Sequence, residues 1–299
     1  MVTMALVLEE VERIPLTVEQ MDCQHFILTR FNLLLWNKTK EGQKVRTRKW
    51  LEHRFSLFEK YCLPSIKNQT YQDFLWIVLF DSTTPEDFKA RIEGFQKDCP
   101  QLTPVFVEPE NGRYFAEIFR KEIVKRLHGK RVVTTYLDND DALNIIYCED
   151  LQRRVSSMAD DTFIYYDEGY QYFTEYKYML QIHYPRNHFV SYVEKGDPDT
   201  VKGVFCYGTH YYIYTVKGAK IEHVKSQPMW CEVVHERNMA NDAYFFLRTK
   251  MVKNKEMLRS VFSINETVKS GLGIYLFKFL PRYGRTFVRR TKNYLLRKN

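Results

Sequence analysis

Runs of continuous apolar residues alternate, along the first half of the chain, with stretches in which apolar residues recur every three or four positions. His25-Phe26-Ile27-Leu28-Thr29-Arg30-Phe31-Asn32 is such a run, and reads as a buried strand closing in polar groups. Over 46–66, Trp50, Leu51, Phe55, Phe58 and Tyr61-Cys62 fall at helical spacing, with Pro64 late in the segment. Phe74 to Phe80 is a second apolar run, closed by Asp81-Ser82-Thr83-Thr84-Pro85. It predicts a strand leading into a helix, with Thr84 as N-cap and Pro85 in the first turn. Residues 86–97 are helical in period, and Thr103 to Glu108 reads as a strand. Asn111-Gly112 marks a turn, and Arg113 to His128 a helix ending near Gly129. Arg131 to Leu137 is a β-branched strand that stops at Asp138-Asn139-Asp140-Asp141, after which Ala142 to Met158 is again helical in period.

Strands alternating with helices predict an α/β domain whose largely parallel sheet is covered on both faces. In such sheets ligands sit beyond the carboxyl ends of the strands, so Arg30, Asn32, Asp81 and Asp138 to Asp141 are expected on one edge. The texture changes after residue 160. Residues 161–216 are rich in Tyr, Phe, Val and Thr and predict several shorter strands, two of them forming a hairpin about Gly208. From about 237 the chain reads as helical and increasingly basic. No internal repeat and no Pro/Gly/Ser linker divides it. The expected organisation is an appendage over 1–20, one domain over 21–245, and a basic helical segment over 246–299. Within that domain, 21–145 is expected to bind nucleotide and 146–245 the acceptor.

Composition narrows the class. With 44% apolar and 27% charged residues, the 299-residue chain is an ordinary globular protein, and 12 Gly and 10 Pro leave little room for long disordered stretches. The start has no basic region followed by an apolar one, and no window approaches a membrane span, so neither a secretory signal nor a spanning helix is expected. Six scattered Cys without a CxxC predict reduced thiols and a cytoplasmic protein, not a zinc site. The net charge of +8 is carried by the tail: Lys278 to Lys298 holds eight Lys/Arg and no acid, and the rest of the chain is balanced.

Asp138 and Asp140 stand two apart at a strand end, where alternate side chains point the same way. Two carboxylates on one side can hold a hard divalent cation, Mg²⁺ or Mn²⁺, which neutralises a diphosphate and stabilises it as a leaving group. The same acids can cap the next helix, and Asp141 ahead of Ala142-Leu143 is placed to do so. Three acids in four residues repel one another unless a cation or donors compensate them, which favours the first reading. A haloacid-type phosphatase also places DxD after a strand, but after the first one.

The stretch from Asn111-Gly112-Arg113 through Arg131-Val132-Val133-Thr134-Thr135-Tyr136-Leu137 to Asp138-Asn139-Asp140-Asp141 resembles the glycosyltransferase family 2 pattern of turn, helix and strand closing in LDxDD. Phe80-Asp81-Ser82 resembles that family's second strand end, with one acid where two are common. More closely, the chain resembles the "putative rhamnosyltransferase" family of GT-A proteins over roughly residues 24–240. Thr29-Arg30-Phe31-Asn32, Pro64-Ser65-Ile66, Phe74-Leu75-Trp76, Leu137 to Leu143 and Met229 to Asn238 carry that resemblance. It implies a GT-A-like, Rossmann-type mixed sheet flanked by helices. It also implies transfer of a sugar, rhamnose by the family's label, from a nucleotide-diphosphate donor to a glycan or lipid-linked acceptor. Asp138, Asp140 and His235 would hold the divalent metal, and Arg30, Asn32, Asp81, Arg113, Arg120 and Asp138 would contact the donor. A carboxylate must deprotonate the acceptor hydroxyl if the reaction inverts, and Asp167, Glu168, Glu232 and Glu236 are the candidates. His235 and Glu232 would share a face if their segment were helical. Another metal-dependent nucleotidyl- or phosphotransferase would use the same acids; a non-catalytic binding protein on the same scaffold is the third reading, and the intact Asp138, Asp140 and His235 argue against it.

Two further features carry weaker chemistry. Tyr165, Tyr166, Tyr170, Tyr172, Phe173, Tyr176, Tyr178 and Tyr184 suit strands with one wet face, and one or two of them would line a sugar site. The basic tail alternates with Ile274, Leu276-Phe277, Phe279-Leu280 and Phe287-Val288, a pattern that suits either a segment lying on the inner face of a membrane or a solvated terminal helix. No nucleic-acid-binding motif accompanies the charge, so no nucleic acid is expected as partner.

Overall fold

The computed structural model describes residues 23–35, 47–208, 210–235 and 249–281, together with 284 and 288. The expected appendage over 1–20, Glu236 and most of the basic tail lie outside the described residues. β1 (Cys23–Arg30) opens the order. α1 (Arg48–Leu57) follows, with the Thr47 hydroxyl accepting the Trp50 N–H at 3.2 Å as its cap. Five residues of wider turn, Phe58–Cys62, lead into α2 (Leu63–Lys67), where Pro64 sits in the first turn and its missing N–H costs nothing. β2 (Leu75–Asp81), α3 (Glu86–Asp98), β3 (Leu102–Val107), α4 (Phe115–Val124) and β4 (Arg131–Tyr136) complete the expected alternation. The cap before α3 differs from expectation. Pro85 is the N-cap, and Thr84 turns its hydroxyl back to donate to the Asp81 carbonyl at 2.6 Å. Asn111-Gly112 lies in a tight helical turn over Pro109–Tyr114, so α4 starts two residues later than its pattern suggests.

The second half departs further. Ala142 does not begin a helix: Ala142–Leu143 is β5, and α5 (Tyr147–Val155) starts only after it. β6 (Thr162–Tyr166), β7 (Glu168–Phe173), β8 (Tyr178–His183) and β9 (Val190–Lys195) are the expected short strands. Among the described residues no hairpin flanks Gly208; turns precede it and the single turn α6 (His210–Ile213) lies after it. β10 (Lys220–Val224) and β11 (Trp230–Val234) follow, so the segment of Glu232 is a strand and not the helix considered for it. β12 (Lys250–Met251), α7 (Met257–Phe262) and α8 (Leu272–Ile274), which continues through Tyr275–Phe279, end the described order.

The strands form two sheets. The larger has the order β10-β6-β9-β4-β1-β2-β3 and the smaller β12-β8-β7-β11-β5. β4, β1, β2 and β3 run parallel, while β9 is antiparallel to both β4 and β6. This is the mixed α/β sheet flanked by helices that the sequence predicts. The two chain halves do not form separate bodies, because β6, β9 and β10 complete the sheet begun by the first half. Register aligns the strand ends: Leu28 is opposite Tyr136, and Arg30 is opposite Leu79. Arg30 is thereby level with Asp138, and Asn32 with Asp81. One core cluster packs α1 and α3 on the larger sheet through Phe55, Phe58, Trp76 and Phe88, and continues into the smaller sheet through Phe173, Tyr178 and Trp230. Fully buried rings of this size contribute about 1.5–3 kcal/mol each.

Candidate functional site

The acidic run is the place where the chain leaves one sheet for the other. Leu137 closes the large sheet, its N–H donating to the Leu28 carbonyl at 3.1 Å. Ala142 already belongs to the small sheet, opposite Cys231. The four residues between them meet four different environments.

Asp138 is the exposed one, its side chain 35% accessible. It accepts the Tyr136 hydroxyl and lies 4.0 Å from the Arg30 guanidinium, which also donates to Tyr136 at 2.7 Å. Arg30 itself is stacked among rings, 4.6 Å from the centre of Phe115, 5.2 Å from Tyr136 and 5.6 Å from Phe205. Burial works against its charge, but Tyr136 and Asp138 outweigh that and its pKa rises. Asn139 turns inward and ties the run to the first strand, donating to the Arg30 and Phe31 carbonyls at 3.0 and 2.7 Å.

Asp140 is buried between two cations or potential cations. Arg54 of α1 donates to it at 2.7 Å and His235, at the end of β11, contacts it at 2.8 Å. Burial alone would raise its carboxyl; Arg54 and His235 overcome this and hold it well below the usual range. Asp141 caps nothing. It is fully buried, accepts the Val233 N–H at 2.8 Å, and meets His188 Nε2 at 2.7 Å. Burial lifts the Asp141 carboxyl against the pull of His188; burial also opposes charge on the His188 imidazole, but the Asp141 contact outweighs it and raises that group.

Two carboxylate–imidazole pairs therefore flank the run, Asp140 with His235 and Asp141 with His188. The ligand atoms of Asp138, Asp141 and His188 all lie within 4.8 Å of one another. Asp138, Asp140 and His235, the trio expected from the sequence, are not gathered in this way: Asp140 and His235 face each other, with Arg54 on the same carboxylate oxygen.

Of the three described base candidates, Glu232 is the one the fold brings to the run. Cys231 pairs with Ala142 in an antiparallel ladder, which puts Glu232 opposite Asp141. It is buried and accepts from Gln171 at 2.6 Å. Burial raises its pKa, with His188 opposing and Asp140 and Asp138 adding to the rise. Asp167 and Glu168 lie at the β6–β7 junction, each on its own imidazole: Asp167 on His223 at 2.7 Å and Glu168 on His183 at 2.9 Å.

The expected donor contacts divide in the same manner. Asn32 accepts the Asp81 N–H at 2.9 Å and donates to Thr84 at 3.0 Å, while Asp81 accepts the Thr83 N–H at 2.8 Å. Both fix the first two strand ends level with each other. Arg113 lies over the Tyr114 ring, 4.7 Å from its centre, and Arg120 bonds Glu117 at 3.4 Å and the Pro198 carbonyl at 3.5 Å. None of these contacts joins either arginine to the acidic run.

Arg54 and His188 are absent from the residues singled out by sequence. Arg54 had a legible signal, since it interrupts the stripe of Trp50, Leu51, Phe55 and Phe58 on the buried side of α1. His188 had none, lying in an irregular stretch before β9.

The family described as "Putative rhamnosyl transferase" matches residues 24–245. None of the curated proteins matches the chain. Among solved structures, that of TarS from S. aureus is 12% identical, with a TM-score of 0.39, and the overlap covers 71% of this chain and 37% of that one. TarS 1–349 is 11% identical with a TM-score of 0.41, covering 70% of this chain and 60% of that one. The same fragment in complex with UDP is 11% identical with a TM-score of 0.36, covering 71% and 60%. The chain thus spans less than two thirds of each of these structures.

Proposed function

The chain belongs to the family described as "Putative rhamnosyl transferase", and from that premise we propose that it moves a sugar from a nucleotide-diphosphate donor to a hydroxyl of a glycan or lipid-linked acceptor, using a divalent cation at the acidic run. The convergence of Asp138, Asp141 and His188 within 4.8 Å is the observation that carries the metal. The two carboxylates are donors that suit Mn²⁺ and Mg²⁺, and the imidazole is the softer member of the set. Asp138 is the partly exposed member and offers the open side. A bound cation would supply charge neutralisation for the departing diphosphate. A second ligand set has its own observation: Asp140 is held ionised and contacts His235 at 2.8 Å.

The chain's own groups take the remaining roles. Arg30, buried among Phe115, Tyr136 and Phe205 beside Asp138, binds the donor phosphates. Asn32 and Asp81 hold the adjoining strand ends where the nucleoside lies. Glu232 accepts the proton of the acceptor hydroxyl. Its raised pKa brings a carboxylate nearer to the task of taking a proton at neutral pH. Gln171 orients it.

A thermal-shift screen of nucleoside diphosphates and nucleotide sugars, with and without Mn²⁺, tests the reading. Stabilisation by at least one of them is expected to require the metal and to vanish in Asp138→Asn. Metal affinity should fall about 10–100-fold in His188→Gln if the first ligand set is used, and in His235→Gln if the second is. No metal-dependent stabilisation by any donor would defeat the proposal.

A further inference from the structure

Residues 272–281 run as one helical stretch, α8 and then wider turns. One side of it is anchored. Ile274, Tyr275 and Leu280 pack on the main core, and the Tyr275 ring lies 6.5 Å from that of Tyr178 in β8. Just ahead of the stretch, the Lys269 N–H donates to the Lys177 carbonyl at 2.6 Å and fixes it to the β7–β8 turn. The other side is bare: Leu272 is 65% exposed, Leu276 41% and Phe277 78%. Leu272 and Leu276, four positions apart, share a helical face, and Phe277 follows on the adjoining flank. Val288 continues the exposure at 66%. Single exposed apolar residues mean little, but three large ones within two turns form a patch that another surface should cover.

Charge decides which surface. The sequence from Lys278 to Lys298 holds eight Lys/Arg and no Asp or Glu, directly following the bare face. A second copy of the chain would set those eight charges against their own kind. Nucleic acid would neutralise them but leave Phe277 and Leu272 in water. Apolar side chains beside unbroken positive charge match the interface of a bilayer bearing anionic headgroups, where rings enter the acyl boundary and cations stay at the headgroups. No helix among the described residues is long and apolar enough to cross a membrane, so such contact is peripheral. We propose that the exposed face of Leu272, Leu276 and Phe277, with the basic sequence after it, docks the protein on an anionic phospholipid surface. This docking does not depend on the glycosyltransferase reading.

Co-sedimentation of the full chain with vesicles tests it. Phosphatidylcholine vesicles containing phosphatidylglycerol should retain the protein, and pure phosphatidylcholine vesicles should retain roughly tenfold less or lower. Leu272→Ser with Phe277→Ser changes only exposed side chains, and should weaken binding to the anionic vesicles about tenfold. Arg289→Gln with Arg290→Gln and Lys292→Gln should weaken it by about a hundredfold and abolish its salt sensitivity in part. Equal retention by both vesicle types, or by neither, overturns the proposal. So does unchanged binding of the Leu272/Phe277 variant, which would leave only unspecific charge attraction. A change in that variant's mass by light scattering, without change in vesicle binding, would show instead that the face joins copies of the chain.

Discussion

Four consecutive residues, three of them acids, show how far a side chain's chemistry is set by what surrounds it. Asp138 remains partly solvated, Asp140 is held below the usual carboxylate range by Arg54 and His235 despite its burial, and the buried Asp141 is raised above that range while bonded to His188. Spacing alone shows the acids but not these differences, because Arg54 and His188 reach the run from 86 and 47 residues away. The same limit applies to His25. Its ring is wholly buried in β1, with Nε2 2.8 Å from the Thr135 hydroxyl. Burial lowers its pKa from 6.5 to about 3. Between those values the unfolded chain binds a proton that the folded chain refuses. The contribution of neutral His25 is therefore complete above pH 6.5 and is lost as the pH falls toward 3, at about 1.4 kcal/mol per pH unit. Urea midpoints of the parent and of His25→Gln, measured from pH 7.5 to 4.5, should converge as the pH drops. A difference that stays constant would show that His25 is not neutral and buried in solution.

Among elements, the strands of the first half were legible because buried parallel strands leave continuous apolar runs, and their ends followed as a matter of course. β5 was not legible. Two residues cannot show a period, and Ala142-Leu143 becomes a strand only because Trp230 and Cys231 lie alongside it. β11 in turn depends on a glycine. The Trp230 indole lies against Gly169 of β7, where an added Cβ would fall 2.2 Å from ring carbons. The indole is further fixed by stacking on Phe189, 4.8 Å between centres, and by its N–H donating to the Tyr166 carbonyl at 2.8 Å. Gly169→Ala is expected to displace Trp230, destabilise the protein by about 3 kcal/mol and alter its near-UV dichroism. An unaltered Trp signal and denaturation midpoint would mean that the ring has room to yield. Gly196 meets a similar constraint, with an added Cβ 2.1 Å from the Gly129 carbonyl oxygen, where β9 ends beside the start of β4.

At the scale of the molecule, one apolar cluster runs from Trp76 and Val133 in the larger sheet to Phe173, Leu180 and Val234 in the smaller. Neither sheet can lose its packing without exposing the other's. Urea unfolding followed by Trp fluorescence and by far-UV dichroism should therefore give coincident transitions, and two separated midpoints would show that the sheets unfold independently. The expected division into a nucleotide half and an acceptor half rests in the sequence only on a change of texture, and in the fold the chain returns from the second half to finish the first sheet. That return makes the acidic run a joint. Asp138 follows directly on β4, which Leu137 ties to β1, and Asp141 leads into β5 and accepts the Val233 N–H of β11. The reach between their carboxylates is a gauge of how one sheet is tilted against the other, and not a property of a loop free to adjust by itself. A load placed on the smaller sheet, for instance through the helical stretch anchored at β8, would be felt at that joint as a change in the spacing of those two carboxylates.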